Sequence, residues 1–277
     1  MTEITYALLS SLLLVTTPDR PDISALSGQQ QAIFEQVASE EFCGCQSSLS
    51  LSGCLDLRPN CRIANHLASW IVEQVEVGND TNEILGQLAE QVMGPFCAKK
   101  HSINLEKLPF MGKSNAKVRI VEFADFRCPH CKTQAPIVKK LVQQLKGRAQ
   151  FFFIPFPLHN HPQGLAAAEA LFAADAQGKF WPMHDALFEN QELGFDKSNL
   201  LRIAKKIGLK HQQFKKALDS HQYQDHVLAL KRQGIQAGVM GTPSFLINGR
   251  LFSPNPSVMP LAKRLGMEID RNIGTCQ

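Results

Sequence analysis

The hydrophobic pattern of this chain changes period several times, and each change marks an element. From Arg119 to Phe126 the residues Ile, Val and Phe dominate and read as a strand. Beyond it Ile137, Leu141, Val142 and Leu145 recur at three and four, as one face of a helix requires. Pro136 falls inside that helix and is expected to kink it by removing a backbone donor. Between His161 and Gly238 the pattern predicts several helices, the clearest with Leu200, Ile203, Ala204 and Ile207 on one face and Lys205 and Lys206 on the other. Asp196 is placed to cap it. From Val239 a Thr242-Pro243 pair leads into a short apolar strand, an Asn248-Gly249 turn and a second short strand, a strong hairpin signal. A proline opening a strand marks an edge or a cis bond in a tight turn.

The first third of the chain is helical in pattern. From about Gly28 to Lys100 one face carries Ile33, Phe34 and Val37, a second Ile63, Leu67, Ile71 and Val75, and a third Ile84, Leu85, Leu88 and Val92. Gly78 can end the second helix, and Asp80-Thr-Asn-Glu83 has capping-box spacing for the third. These faces predict a small three-helix unit. The segment to residue 115, with Pro109, Gly112 and Ser114, reads as a linker between two domains.

Candidate chemistry sits where the strand gives way to the helix, at Cys128-Pro129-His130-Cys131. Cys128 is expected at a helix N-terminus, where unpaired amides and the positive dipole end stabilise a thiolate. Pro129 suits the first turn, which needs no amide donor, and His130 can add charge or a donor beside the sulfur. A thiol of low pKa is also a good leaving group, so a Cys128–Cys131 disulfide should accept electrons readily from a substrate dithiol. Half of a zinc site is the competing reading, but the chain has no second Cys-x-x-Cys to complete it. His159 and His161 form a metal-like pair with no acidic or cysteine companion at useful spacing, and are expected to be solvated loop residues. No metal and no cofactor is expected, because sulfur carries the chemistry.

Together these pieces resemble the DsbA-like branch of thioredoxin-fold proteins. The likeness runs from about Gly112 to about Leu265 and rests on Val121-Glu-Phe-Ala-Asp-Phe-Arg-Cys-Pro-His-Cys131, Phe151-Phe-Phe-Ile-Pro-Phe-Pro-Leu158, Ala166-Ala-Ala-Glu-Ala170, Gly178-Lys-Phe-Trp-Pro-Met-His-Asp-Ala-Leu-Phe188 and Gly241-Thr-Pro-Ser-Phe245. It implies an α/β thioredoxin fold over residues 116–277, with a helical subdomain inserted at about 161–238. It also implies that Cys128 is an exposed nucleophile, Cys131 a buried resolving thiol, and Thr242-Pro243, with Pro129, a substrate-facing surface. Glu122 resembles a buried acidic residue that helps move protons in this family. A surface glutamate is the alternative, and Asp125 is a second candidate. Phe180, Trp181 and Phe188 read as core or groove-lining aromatics.

The remaining cysteines bear on compartment. Of eight cysteines, those outside the motif are Cys43, Cys45, Cys54, Cys61, Cys97 and Cys276, a number easier to reconcile with an oxidising compartment than a reducing one. Export to a bacterial periplasm or cell envelope is therefore expected. The leader, residues 1–27, reads as a signal-like segment that is either atypical or truncated, with retention inside the cell as the alternative: Tyr6–Val15 is apolar, but nothing basic precedes it and Glu3 has the wrong sign. No apolar run approaches a membrane span. A net charge of +4 without a dense basic block gives no reason to invoke nucleic acid.

Cys43, Cys45, Cys54, Cys61 and Cys97 belong to a Cys-rich helical domain spanning 28–100, ahead of a linker at 101–115. They allow structural disulfides, a second redox pair, or a metal site. Staples are favoured, because a small exported domain gains stability from them; a direct Cys43–Cys45 bridge would be strained. Cys276 can pair with Cys97 or lie free. The run Ile71–Leu85 is weakly similar to the helical thiol domain of CcmH-like cytochrome c maturation proteins, with Cys43-Gly44-Cys45 departing from their Cys-x-x-Cys.

The leading expectation is a thiol-disulfide oxidoreductase acting as an oxidase of protein cysteines. An isomerase or reductase is the alternative, and a metal-handling or cytochrome c assembly module the alternative of another class. Expected partners are cysteine-containing proteins and a redox partner protein, for which a membrane-bound one is a candidate. A homodimer through the N-terminal domain is a further candidate, by analogy alone.

Overall fold

The structure is a computed structural model that describes residues 19–44, 48–58, 60–254 and 260–271. Most of the expected leader, Cys45 and Cys276 lie outside the described residues. The chain forms two compact units, one of residues 1–99 and 254–277 and one of residues 100–253.

In the first unit, helix α1 (Gly28–Glu40) opens on a capping box in which the Ser27 hydroxyl and the Gln30 side chain each accept from the other's backbone amide. Phe34 and Val37 are its buried face. Helix α2 (Leu51–Leu57) is capped by Ser50. It escaped the sequence reading because seven residues are too few to display a period. Helix α3 (Arg62–Glu76) buries Leu67, Trp70, Ile71 and Val75, and Gly78 at φ 95° ends the run in the left-handed region. Helix α4 (Thr81–Gln87) carries the expected Asp80–Glu83 capping box. It widens into a π-helix, Leu88–Met93, before a short α5 (Gly94–Cys97).

The last helix, named α12 below (Leu261–Arg271), also belongs to this unit and contacts α3. This differs from the expectation of one second domain running over residues 116–277. The charges of α12 explain the difference: Asp270 is 2% exposed and lies 2.7 Å from His66 Nε2, and it accepts from Arg62 Nη1 at 3.3 Å. A carboxylate buried this deeply needs such partners, and α3 supplies both. Lys263 adds an ion pair to Glu73 on the same helix.

The second unit is built on a five-stranded sheet of order β1-β3-β2-β4-β5. Its strands are β1 (Phe110–Gly112), β2 (Val118–Ala124), β3 (Ala149–Pro155), β4 (Ser244–Ile247) and β5 (Arg250–Phe252). β2 and β3 run parallel around helix α6 (Pro129–Gln144), and the other pairings are antiparallel. Strand β1 falls in the stretch read as linker; three residues at a sheet edge leave little pattern to see. Pro136 lies within α6, which continues to Gln144.

Between β3 and β4 stand α7 (Gly164–Asp175), α8 (Phe180–Glu189), α9 (Lys197–Lys206), α10 (His211–Asp219) and α11 (Gln224–Gln236), the helical insertion. Asp196 caps α9 by accepting from the Asn199 amide at 2.8 Å. One sheet face meets α8 through Phe151 against Trp181 and Phe153 against His184. The other receives α11 so closely that a Cβ on Gly234 would come within 2.8 Å of Phe123. With helices on both faces, the central strands β2 and β3 are buried almost throughout, which removes the alternation a half-exposed strand would show.

Candidate active site

β2 ends at Ala124, and four residues, Asp125 to the N-cap Cys128, carry the chain from it to the first turn of α6. Asp125 organises that passage. Its Oδ1 accepts from the Arg127 amide at 2.7 Å, its Oδ2 accepts from the Leu158 amide at 2.7 Å and lies 2.9 Å from His161 Nδ1, and its carbonyl accepts from the Cys128 amide at 3.0 Å. Gly164 leaves room for this carboxylate, since a Cβ there would stand 3.1 Å from Oδ1. His161 is therefore not the solvated loop residue expected; it is half-buried against Asp125, while His159 is exposed. Among the described residues no cluster of His, Cys, Asp or Glu has the makings of a metal site.

Cys128 is the N-cap of α6, extended at φ −77° and ψ 120°, with Pro129 at the first helical position. Gln191, in a single 3-10 turn after α8, is 5% exposed and donates its side-chain amide to the Phe126 carbonyl at 2.7 Å and to the Cys128 carbonyl at 3.0 Å. Its own carbonyl accepts from Arg127 Nη1 at 2.6 Å. Across from the cysteines, Thr242-Pro243 is a cis peptide, and the Cys128 thiol lies 3.4 Å from the Thr242 carbonyl. Cys128 is 4% exposed, a correction to the exposed nucleophile that the resemblance implies, and Cys131 is fully buried.

Both thiols are free, and their surroundings drive their acidities apart. The Cys128 pKa is lowered to about 5, chiefly by a hydrogen bond from the Cys131 thiol and with help from Thr242 and the main-chain amides of Cys131 and His130, against the opposing effect of burial. Cys131 moves the other way, raised by donating that same hydrogen bond and by desolvation. As a coupled pair they share one readily lost proton, which leaves the negative charge on Cys128. His130 itself is exposed, as is Pro129.

Glu122, on β2, is buried at 1% exposure, so its surface reading is excluded. It sits between the in-register residues Phe153 and Phe245, which share its sheet face. Burial in this apolar setting pushes its carboxyl up to about 8, and its Oε1 has no hydrogen-bond partner among the described residues. Phe180 and Phe188 are buried, and Trp181 is only partly covered. Gln191 had no sequence signal: an isolated glutamine in a helix-flanking turn looks like any surface residue.

The first unit's cysteines behave differently. Cys43 and Cys54 form a disulfide with a Cα separation of 6.1 Å, and Cys61 and Cys97 are also disulfide-bonded.

A dithiol capping the helix of a βαβ unit, faced by a cis-proline loop, defines a thioredoxin-fold oxidoreductase. The sequence profile of the family described as Thioredoxin matches residues 104–265. A probable disulfide bond formation protein D of Bacillus anthracis is 33% identical over 174 residues, which are 58% of this chain and 78% of that protein. A thioredoxin-like oxidoreductase from Silicibacter pomeroyi has a solved structure similar to this one, with a TM-score of 0.51, 26% identity, and coverage of 61% of this chain and 94% of that one. BdbD from Bacillus subtilis, in its oxidised form, shares the fold with a TM-score of 0.53 at 23% identity, over 62% of this chain and 98% of its own. The chain belongs to this thioredoxin family, in its DsbA-like branch, and is a thiol-disulfide oxidoreductase.

Proposed function

We propose that Cys128 and Cys131 are the redox centre and that the protein oxidises cysteine pairs in other proteins. The opposed acidities of the two thiols carry this reading. Starting from the Cys128–Cys131 disulfide, a substrate thiolate attacks Cys128 Sγ and Cys131 departs with the electron pair. Its high pKa means that it must take up a proton. The second substrate thiolate then attacks the substrate sulfur of the mixed disulfide and expels Cys128 as a thiolate, a good leaving group at a pKa of about 5. Two substrate thiols become one disulfide, and the enzyme disulfide becomes the dithiol. Reoxidation requires a disulfide-bearing or otherwise electron-accepting redox partner.

The proton for Cys131 has a candidate source in Glu122, which near neutral pH can both hold and release one. Thr242 and Pro243 form the face that receives the substrate peptide, with Pro129 and the exposed His130 beside it. A stabilised Cys128 thiolate lowers the free energy of the reduced enzyme, which favours the oxidase direction over reductase work. The disulfides of the first unit support an oxidising compartment outside the cytosol. They also favour staples there over metal ligands, since a cysteine held in a disulfide offers no thiolate to a metal.

The test is catalysed oxidation of a reduced, unfolded protein, comparing wild type with Cys128→Ser. Wild type should restore the substrate's disulfides in stoichiometric single turnover, and the variant should match the uncatalysed background. Undiminished oxidation by the variant contradicts the assignment.

A further inference from the structure

We infer that Gln191 is a positioning residue that sets the redox potential of the dithiol, acting through the backbone of Cys128. The inference rests on the proposal that Cys128 and Cys131 are the redox pair, but not on the direction in which they work. Gln191 lies 63 residues from Cys128 in sequence, on a turn of the helical insertion, and both hydrogens of its side-chain amide are spent on the active-site loop, one on Phe126 O and one on Cys128 O.

The Cys128 carbonyl is the hinge of the arrangement. It also accepts from the Lys132 amide at 3.2 Å, the first turn of α6. On the other side of the same residue, the Cys128 amide is held by the Asp125 carbonyl. Cys128 is thus fixed at both ends, and its ψ of 120° sets where the peptides of His130 and Cys131 point. Those are the two amides that stabilise its thiolate. Loss of the Gln191 donor leaves the carbonyl held by the Lys132 amide alone, so the peptide loses its second restraint and tilts, which moves the amides off the sulfur. The reduced state needs this aim, because only there does the sulfur carry charge; the disulfide does not. A residue that holds the aim therefore shifts the equilibrium between the two states rather than stability alone.

Arg127 belongs to the same clasp in a separable way. Its guanidinium donates to the main-chain carbonyl of Gln191, which survives any side-chain substitution at that position, and it stands over the Phe195 ring at 5.9 Å. Changing the Gln191 side chain therefore removes the contact to Cys128 while the insertion stays tethered.

The experiment equilibrates the full-length protein with glutathione, in the reaction Cys128–Cys131 disulfide plus two glutathione thiols giving the enzyme dithiol plus glutathione disulfide. Gln191→Met keeps the side chain's length and bulk without its donors. Its equilibrium constant for reduction should fall about tenfold, or about 30 mV for a two-electron couple, and the Cys128 thiolate absorbance should titrate at higher pH than in wild type. A variant whose equilibrium constant and thiolate titration both match wild type overturns the inference, whatever its melting temperature, since a merely structural glutamine moves only the latter. Gln191→Asn, which keeps the amide but is too short to span both carbonyls, provides the same comparison if the Met variant does not fold. A wild-type protein whose dithiol fails to exchange with glutathione would overturn instead the assignment of the redox pair.

Discussion

Two cysteines in this protein cap long helices, and they have opposite fates. Cys61 begins α3 in the first unit, its sulfur accepting from the Ala64 amide at 3.4 Å, and it is locked in a disulfide. Cys128 begins α6 in the second unit and is free, with its thiolate stabilised. A helix N-terminus favours negative charge on sulfur in both places. What separates them is the company each sulfur keeps. Cys128 has a second thiol three residues on to share its proton, the Thr242 side chain of a cis-proline loop to favour its thiolate, and an insertion that fixes its backbone. The lesson is that a capping cysteine acquires redox chemistry from its neighbours in the fold, and without them it is available as a staple.

The largest expected effect breaks the comparison at its reactive end: Cys128→Ser should lose thiol-disulfide exchange to background, while Cys131→Ser should trap a mixed disulfide with substrate, visible as a mass increase on a non-reducing gel. Next is the buried carboxyl. Glu122 has its folded pKa raised to about 8, so the stability it permits is fully present below its ordinary value near 4.5 and is lost as pH rises toward 8. The difference in stability between Glu122→Gln and wild type should therefore grow in the variant's favour over that window, by on the order of 5 kcal/mol, and level off above it. Urea unfolding at a series of pH values measures this, and a pH-independent difference would count against the raised carboxyl.

At the stapled end, replacing Cys43 and Cys54 together by Ala should cost the first unit about 2–4 kcal/mol and leave the glutathione equilibrium of Cys128 and Cys131 unchanged. A shift in that equilibrium would mean that the first unit's cysteines take part in electron transfer. The smallest effect is at the α1 cap: Ser27→Ala should lower stability by about 1 kcal/mol, read as a drop in the unfolding midpoint, without touching exchange activity.

Much of the reactive half was legible in sequence because its signals are local. The strand before Cys128, the helix after it and the Asn248-Gly249 hairpin each occupy a few consecutive residues whose spacing states their geometry, as does the Asp80–Glu83 capping box in the first unit. Glu122 was undecided for a physical reason: a strand covered on both faces has no polar side, so alternation cannot say where a lone carboxylate points. The unit to which the helix from Leu261 to Arg271 belongs is invisible in the sequence because its partners, His66 and Arg62, are some two hundred residues away. Gln191, Asp125 and His161 share that limitation. Their roles consist of hydrogen bonds between loops that the chain brings together only when folded, and the burial of Cys128 follows from the same assembly.

The contrast between a stapled and a reactive capping cysteine rests on the acidity of Cys128, and its direct measurement is the rate of alkylation of the reduced protein as a function of pH. Because the folded pKa is depressed, the thiolate persists as pH falls until about 5. The rate at Cys128, located by peptide mass, should be nearly constant from neutral pH down to that point and then fall tenfold per pH unit. A rate already falling tenfold per unit below pH 8, as for an ordinary thiol, would contradict the account.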